Sequence, residues 1–307
     1  QSHGSLSRLR VTFTDALTEP VFLLSVTLNE RQPLAVNGLR LLLMAFSLSA
    51  LFLIVHFRIY RREYQFGRLS YRLMNLGVLL LCLLICGGTF YVQNADHSLL
   101  RPYPTLEEIR SPEMVVDAYM QQLDAFEKGQ IELDLDVNPQ LAALNNPYDT
   151  GERDKKEVAY HWDRAYYNGK YYSYFGLAPL FMVYYPVFWL TGMLPTTAFA
   201  GLLLSVFAVV MIFAAVHALI RLFTPRANLL LLLAGELAVV CGSFLYLMQA
   251  SSSSFYYLPL IAAAGWLAAF TALASLAFLA CRPAAGPVSH IRKRVLLFFL
   301  CGVSLVM

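Results

Sequence analysis

The chain has 307 residues, 58% of them hydrophobic and 14% charged, with a formal net charge of +3. Soluble domains carry about 25% charged residues. This composition, with apolar runs long enough to cross a bilayer as helices, excludes a soluble globular enzyme or nucleic-acid-binding module and predicts a polytopic membrane protein. The five cysteines (Cys82, Cys86, Cys241, Cys281, Cys301) lie in or beside apolar runs, with neither zinc spacing nor a secreted disulfide framework. Cys82 and Cys86 read as small apolar helix residues.

In chain order, Leu9, Val11 and Phe13 alternate with Arg10, Thr12 and Thr14, and a second β-like run, Val21–Leu28, follows Pro20. Residues 1–33 read as the tail of an extracytoplasmic β-rich domain. Gln1 at the start, and the apolar run 295–307 that stops at Met307, predict a fragment of a longer protein cut inside a span. Seven spans are predicted, over 34–57, 73–92, 174–192, 196–220, 228–249, 256–280 and 295 onward. The fold class is therefore mainly α, with a mixed α/β outer loop. Residues 34–92 form a two-span hairpin, 93–173 the loop, and 174–307 a membrane bundle truncated at its C-terminus.

The link 58–72 carries Arg58, Arg61, Arg62, Arg68 and Arg72 and so belongs on the cytoplasmic side. Loop 93–173 then lies outside, in a multi-pass protein of a bacterial plasma membrane. It holds 15 of the 20 acidic residues and only 8 of the 23 basic ones. Strict alternation of seven spans places 221–227 and 281–294 outside as well, although both are basic. Either one apolar segment does not cross fully, or the later loops violate the charge rule.

Inside the loop, Thr105 and Glu108 have capping-box spacing. Ser111-Pro112-Glu113 reads as a helix start and Gly129 as its stop. Between them Val116, Tyr119, Leu123 and Phe126 share one face, and Glu113, Asp117, Gln121 and Asp124 the other. Such a helix lies on the membrane or packs on the loop. In "IELDLDVNP", Glu132, Asp134 and Asp136 share a strand face, which reads as a solvated face in preference to a calcium site, since three ligands on one strand do not close a shell. Asn168-Gly169, flanked by Tyr166, Tyr167, Tyr171 and Tyr172, is a two-residue hairpin signal. It delivers the chain to Gly176 and Pro179 at a span entrance.

Asp163 stands just before this hairpin, among Trp162, Tyr166 and Tyr167, where partial desolvation strengthens a carboxylate as a base. A purely capping aspartate is the competing reading. Asp149, in "NPYD", reads as a turn residue or a binding one. Glu236 lies in mid-span, where charge is costly and faces a cavity or an interhelical partner.

The stretch "VVDAYMQQLDAFEKGQ…NPYDTGERD…WDRAYYNGKYYSYFGLAPLFMVYYPVFWLTG" resembles a group of large bacterial membrane proteins similar to the GT-C glycosyltransferases, of the protein O-mannosyltransferase and aminoarabinose-transferase types. The resemblance is clearest over 114–194, weaker over 8–57, and fades after about residue 225. It implies a GT-C-like fold and transfer of a sugar from a polyprenyl-phosphate donor to an extracytoplasmic acceptor. Asp117, Tyr119, Ala125 and Gly129 resemble the family's early loop helix, and Asp117 would carry a catalytic carboxylate. Such carboxylates usually follow the first span closely, which makes Asp96 a rival, and the family's tandem acidic pair is absent. Together with Asp163 these are the three candidate catalytic residues. Arg164, Lys170 and Arg153 are candidate phosphate partners, with Trp162, Tyr166, Tyr167, Asp149 and Glu236 as further substrate contacts. The resemblance leaves a divalent metal open, names no other cofactor, and implies membrane lipids as neighbours. A transporter or flippase for a lipid-linked or polar solute, and a non-catalytic membrane scaffold, are the alternatives.

Overall fold

The computed structural model describes residues 38–94, 98–111, 116–243, 245–250, 255–280 and 291–306. The expected β tail within 1–33, Asp96, and Pro112-Glu113 lie outside these residues. The chain divides into two units, Gln1–Phe52 and Leu53–Met307. Helix α1 (Gly38–His56) begins in the first. The candidate site lies wholly in the second.

The second unit opens with a 3-10 turn (Ile59–Arg61) and α2 (Leu69–Gln93). The loop contains β1 (Leu100–Arg101), α3 (Leu106–Arg110), α4 (Ala118–Glu127), α5 (Pro139–Ala142), α6 (Thr150–Lys155), β2 (Ala165–Tyr167) and β3 (Lys170–Tyr172). A π-helical turn (Leu180–Tyr184) continues into α7 (Tyr185–Thr191), followed by β4 (Leu194–Pro195). The bundle is completed by α8 (Thr197–Phe223), α9 (Leu229–Gly242), α10 (Leu245–Ala250), α11 (Tyr257–Ala280) and α12 (Ile291–Val306). Among the described residues four helical stretches are long and apolar enough to cross a membrane: Leu69–Gln93, Thr197–Phe223, Leu229–Ala250 and Tyr257–Ala280.

Side-chain pairs give the helix directions. Asn75 meets Glu236, Tyr246 donates to the Cys82 carbonyl, and Gln249 to the Cys86 carbonyl, so α2 and α9–α10 run parallel. Phe90 packs on Phe199 while His217 reaches Glu236, so α8 runs the other way. Gly265 faces Phe207 and Ala208, and Ala272 lies with Ala215, so α11 runs with α8. Gly265 is required here: a Cβ would stand 2.5 Å from the Phe207 ring and 3.2 Å from Ala208 Cα.

Four of the seven expected spans have, among the described residues, the length and composition to cross. The segment expected over 174–192 narrows to Leu180–Thr191, roughly 18 Å at 1.5 Å per residue, against a hydrocarbon core of about 30 Å. Its exit is tied to the end of α2. β4 pairs antiparallel with β1, and the Thr196 amide donates to the Leu99 carbonyl at 3.0 Å. The chain therefore enters and leaves this segment at one end of the bundle. At the opposite end the Tyr64 amide donates to the Ala227 carbonyl (2.8 Å) and the Leu229 amide to the Arg62 carbonyl (2.7 Å). The basic links around Arg58–Arg72 and Arg221–Arg226 thus share an end, and α11 runs toward it. The conflict between alternation and charge disappears because the short segment turns back.

Two cores matter for the site. One joins α2, α4, the π-helical turn, α8, α10 and α11, through Cys82, Tyr119, Leu123, Leu180, Tyr184, Leu204 and Leu258. The other holds the loop together around Leu133, Leu141, Val158, Tyr166 and Tyr171. The hairpin forms as expected, with Asn168 and Gly169 both at positive φ (48° and 76°) and Tyr166 opposite Tyr171. The capping box at Thr105 and Glu108 also forms. Segment 131–137 differs from a regular strand. It meets the hairpin through a single bridge, Leu133 to Tyr171. Leu133 and Leu135 are buried and the acids alternating with them face outward, Asp136 exposed, Glu132 paired with Lys170, and Asp134 with Lys128 and Arg110.

Candidate functional site

Helix α4 starts where Asp117 caps it. Asp117 Oδ1 accepts from the Tyr119 amide (3.0 Å) and the Met120 amide (2.9 Å), satisfying two of the helix's otherwise unpaired N–H groups. The other oxygen, Oδ2, accepts from the Tyr184 hydroxyl (2.6 Å) and the Thr197 hydroxyl (2.8 Å). One buried carboxylate, 8% exposed, therefore fastens the loop helix to the π-helical turn and to the first residue of α8. The helix does not lie on a surface with one polar face outward. Gln121 and Asp124 on that face are as buried as Leu123. Their polar atoms are used: Gln121 donates to the Ile109 carbonyl, and Asp124 accepts from Tyr103 and Lys128.

Arg164 comes to α4 from the turn before the hairpin. Its Nε donates to Gln121 Oε1 (2.7 Å), its Nη1 to the Asp163 carbonyl (3.1 Å), and its guanidinium stands 5.6 Å from the centre of the Phe255 ring. It is 9% exposed. Burial lowers its pKa, while the negative charges of Asp117 and Asp163 act to raise it. The guanidinium remains a cation at neutral pH. Arg164 thus ties the turn before the hairpin to Gln121 of α4, within the electrostatic influence of both aspartates singled out from the sequence.

Asp163 has a left-handed backbone, φ 57°, which aspartate tolerates better than most residues. Its Oδ1 accepts from the Tyr174 hydroxyl (3.2 Å). Its Oδ2 is buried and has no hydrogen-bond partner among the described residues. Tyr119 Oη and Gln122 Oε1 are in the same condition on α4. Buried polar atoms are nearly always paired, so each such atom calls for a partner. Around the group, Phe175 packs edge-on against Phe255 at 5.0 Å, Tyr174 stacks on Phe175 at 4.6 Å, and Tyr119 stacks on Tyr184 at 5.4 Å. Burial, and then the charge of Asp117, raise the pKa of the Tyr119 phenol, so it stays protonated.

The remaining sequence candidates are placed elsewhere or spoken for. Lys170 is ion-paired with Glu132. Arg153 donates from Nε to the Pro147 carbonyl (2.6 Å) and lies 4.2 Å over the Tyr160 ring. Asp149 caps α6 through the Gly151 amide. Tyr166 is buried in the loop core against Tyr171, whereas Tyr167 and Trp162 are exposed. Glu236 belongs to the other end of the bundle. It is 0% exposed, with Asn75 Nδ2 at 2.5 Å and His217 Nδ1 at 3.1 Å. Among the described residues no three of His, Cys, Asp and Glu stand together as a metal site.

Sequence reasoning misses Gln121, Tyr174, Tyr184, Thr197 and Phe255. Gln121 reads as surface because its helix is amphipathic by pattern. Tyr184 and Thr197 carry no local signal, since they become partners only when the short segment turns back and places α8 beside α4. No family model matches the chain, and the searches of curated proteins and of solved structures found no match.

Proposed function

We propose that the protein is an integral-membrane glycosyltransferase that moves a sugar from a polyprenyl-phosphate donor to an extracytoplasmic acceptor. The observation that carries this reading is the Asp163 carboxylate. One of its oxygens is buried and unpartnered, next to a buried guanidinium at the mouth of an apolar bundle. In this reading Asp163 Oδ2 takes the proton from the acceptor hydroxyl as that oxygen attacks the anomeric carbon. The bond from the anomeric carbon to the phosphate oxygen breaks, and the departing phosphate is stabilised by Arg164. Asp117 is a positioning residue, because all four of its donors are protein groups and it holds α4, Tyr184 and Thr197 in place. The basic links at the far end mark the cytoplasmic side, which puts the site outside the plasma membrane. The resemblance over 114–194 supports the same assignment.

A second reading, a transporter for a lipid-linked or polar solute, is favoured by Glu236 with Asn75 and His217 inside the bundle, because intramembrane ionisable groups commonly serve transport. Reconstitution with labelled polyprenyl-phosphate sugars separates the two. Transfer that is lost in Asp163→Asn and kept in Glu236→Gln supports the transferase. Solute movement without transfer, lost in Glu236→Gln, supports the transporter.

A further inference from the structure

A cavity of about 260 Å3 opens on the loop beside the site, lined by Arg110, Asp136, Val137, Asn138, Tyr160 and His161, among others. It is smaller than the roughly 300–1,000 Å3 pockets that take drug-sized molecules, and suits a single ring. We propose that it binds one pyranose unit of a neutral saccharide.

The walls carry the argument. Arg110 Nη2 donates to Asp134 Oδ1 at 2.7 Å, and its Nη1 stands 3.9 Å from Asp136 Oδ1. That leaves Arg110 Nε buried with no partner among the described residues. The Asp136 side chain is 78% exposed and offers acceptor oxygens. Asn138 Oδ1 is used in capping α5, so its amide NH2 remains as a donor. The lining residues thus include both donors and acceptors, as a ring of hydroxyl groups requires, since each hydroxyl both donates and accepts. An apolar platform lies alongside. Tyr160 and Trp162 are packed with centroids 5.6 Å apart, and the indole is 55% exposed. Such a face fits the C–H side of a sugar ring.

Charge decides against an anion. The Arg110 guanidinium is matched by Asp134 and Asp136. Burial lowers the His161 pKa, so the imidazole is neutral at pH 7, and its Nε2 is 3.2 Å from the Asp136 carbonyl oxygen. Of the cations lining the cleft none is left unmatched among the described residues, and Arg153, 4.2 Å over the Tyr160 ring, is held by the Pro147 carbonyl. His161, on the wall of the cleft, precedes Asp163 closely in the chain. The cleft's meaning as an acceptor site rests on the transferase reading, whereas the binding itself does not.

The test is ligand-observed NMR and calorimetry on the detergent-solubilised protein with maltotriose, mannotriose and chitotriose, and with a hyaluronan tetrasaccharide as the anionic arm. Saturable binding of at least one neutral trisaccharide is expected. Trp162→Ala and Asp136→Ala, both at exposed positions, should each weaken it about tenfold or more at unchanged thermal midpoint. The inference is overturned by three results: no saturation by any neutral saccharide, equal affinity in both variants, or tightest binding to the anionic one. Transfer that survives loss of saccharide binding overturns only the meaning of the cleft as an acceptor site. Binding without transfer from any donor keeps the cleft and rejects the reaction.

Discussion

Asp117 gives the most quantitative test of how the loop is held to the bundle. Tyr184→Phe removes one hydroxyl bond to a buried carboxylate, a loss of about 1.5–3 kcal/mol. Asp117→Asn is more severe. The asparagine oxygen still caps α4 through Tyr119 and Met120, because Asn caps as well as Asp. Its NH2, however, replaces the oxygen that accepted from Tyr184 and Thr197. Two charge-assisted bonds are lost and two hydroxyls must find other acceptors, for a total of about 3–5 kcal/mol. The double variant should cost less than the sum, by a coupling of about 1–3 kcal/mol. Unfolding in mixed micelles, followed by tyrosine near-UV dichroism, measures all four corners of the cycle. Strict additivity, or a loss below about 0.5 kcal/mol for Asp117→Asn, would refute the account of this residue as the fastener between α4, the π-helical turn and α8.

Three further outcomes follow from other parts of the molecule. Gly265→Leu should destabilise the bundle by about 1–3 kcal/mol, because the added side chain meets the Phe207 ring and the α8 backbone; thermal unfolding in detergent reads this, and a neutral result contradicts the α8–α11 packing. Glu236→Gln should fold normally, since the amide can still accept from Asn75 and pair with His217, whereas Glu236→Leu should cost about 2–4 kcal/mol by orphaning both; equal stability of the two variants would contradict the network. Lys128 and Arg110 hold the Asp134 carboxyl below its ordinary value of 3.8. A lowered folded-state pKa means the contribution is complete above pH 3.8 and is lost as pH falls through the lower folded value. Amide protection in 128–137, corrected for the intrinsic exchange rate at each pH, should therefore hold down to about pH 4 and fall only below it; loss of protection as pH falls from 7 to 5 would argue against these pairs.

The parts of this fold written in local sequence are those set by local rules. Asn168-Gly169 makes its hairpin because positive φ is needed at both positions, and Thr105 and Glu108 close a capping box within four residues. The long spans follow from unbroken apolar length. Leu180–Thr191 could not be separated from a span by composition, because what turns it back is the pairing of Leu194–Pro195 with Leu100–Arg101, nearly a hundred residues earlier. The site is divided in the same way. Asp163 and Asp117 stand out as carboxylates in an aromatic or helical context. Arg164's bond to Gln121, and the hydroxyls of Tyr184 and Thr197, depend on tertiary placement that no local pattern encodes. Lys170, Arg153 and Asp149 look available in sequence and are engaged in the structure by Glu132, by the Pro147 carbonyl and Tyr160 ring, and by the α6 amides.

The most direct test of the central claim is the rate of sugar transfer by Asp163→Asn beside wild type and Asp117→Asn, at equal amounts of folded protein, with labelled polyprenyl-phosphate sugars. A general base contributes about 10²–10⁴ in rate. The account predicts a loss in that range for Asp163→Asn with unchanged donor affinity, and for Asp117→Asn a loss below that range. Wild-type turnover in Asp163→Asn would contradict it.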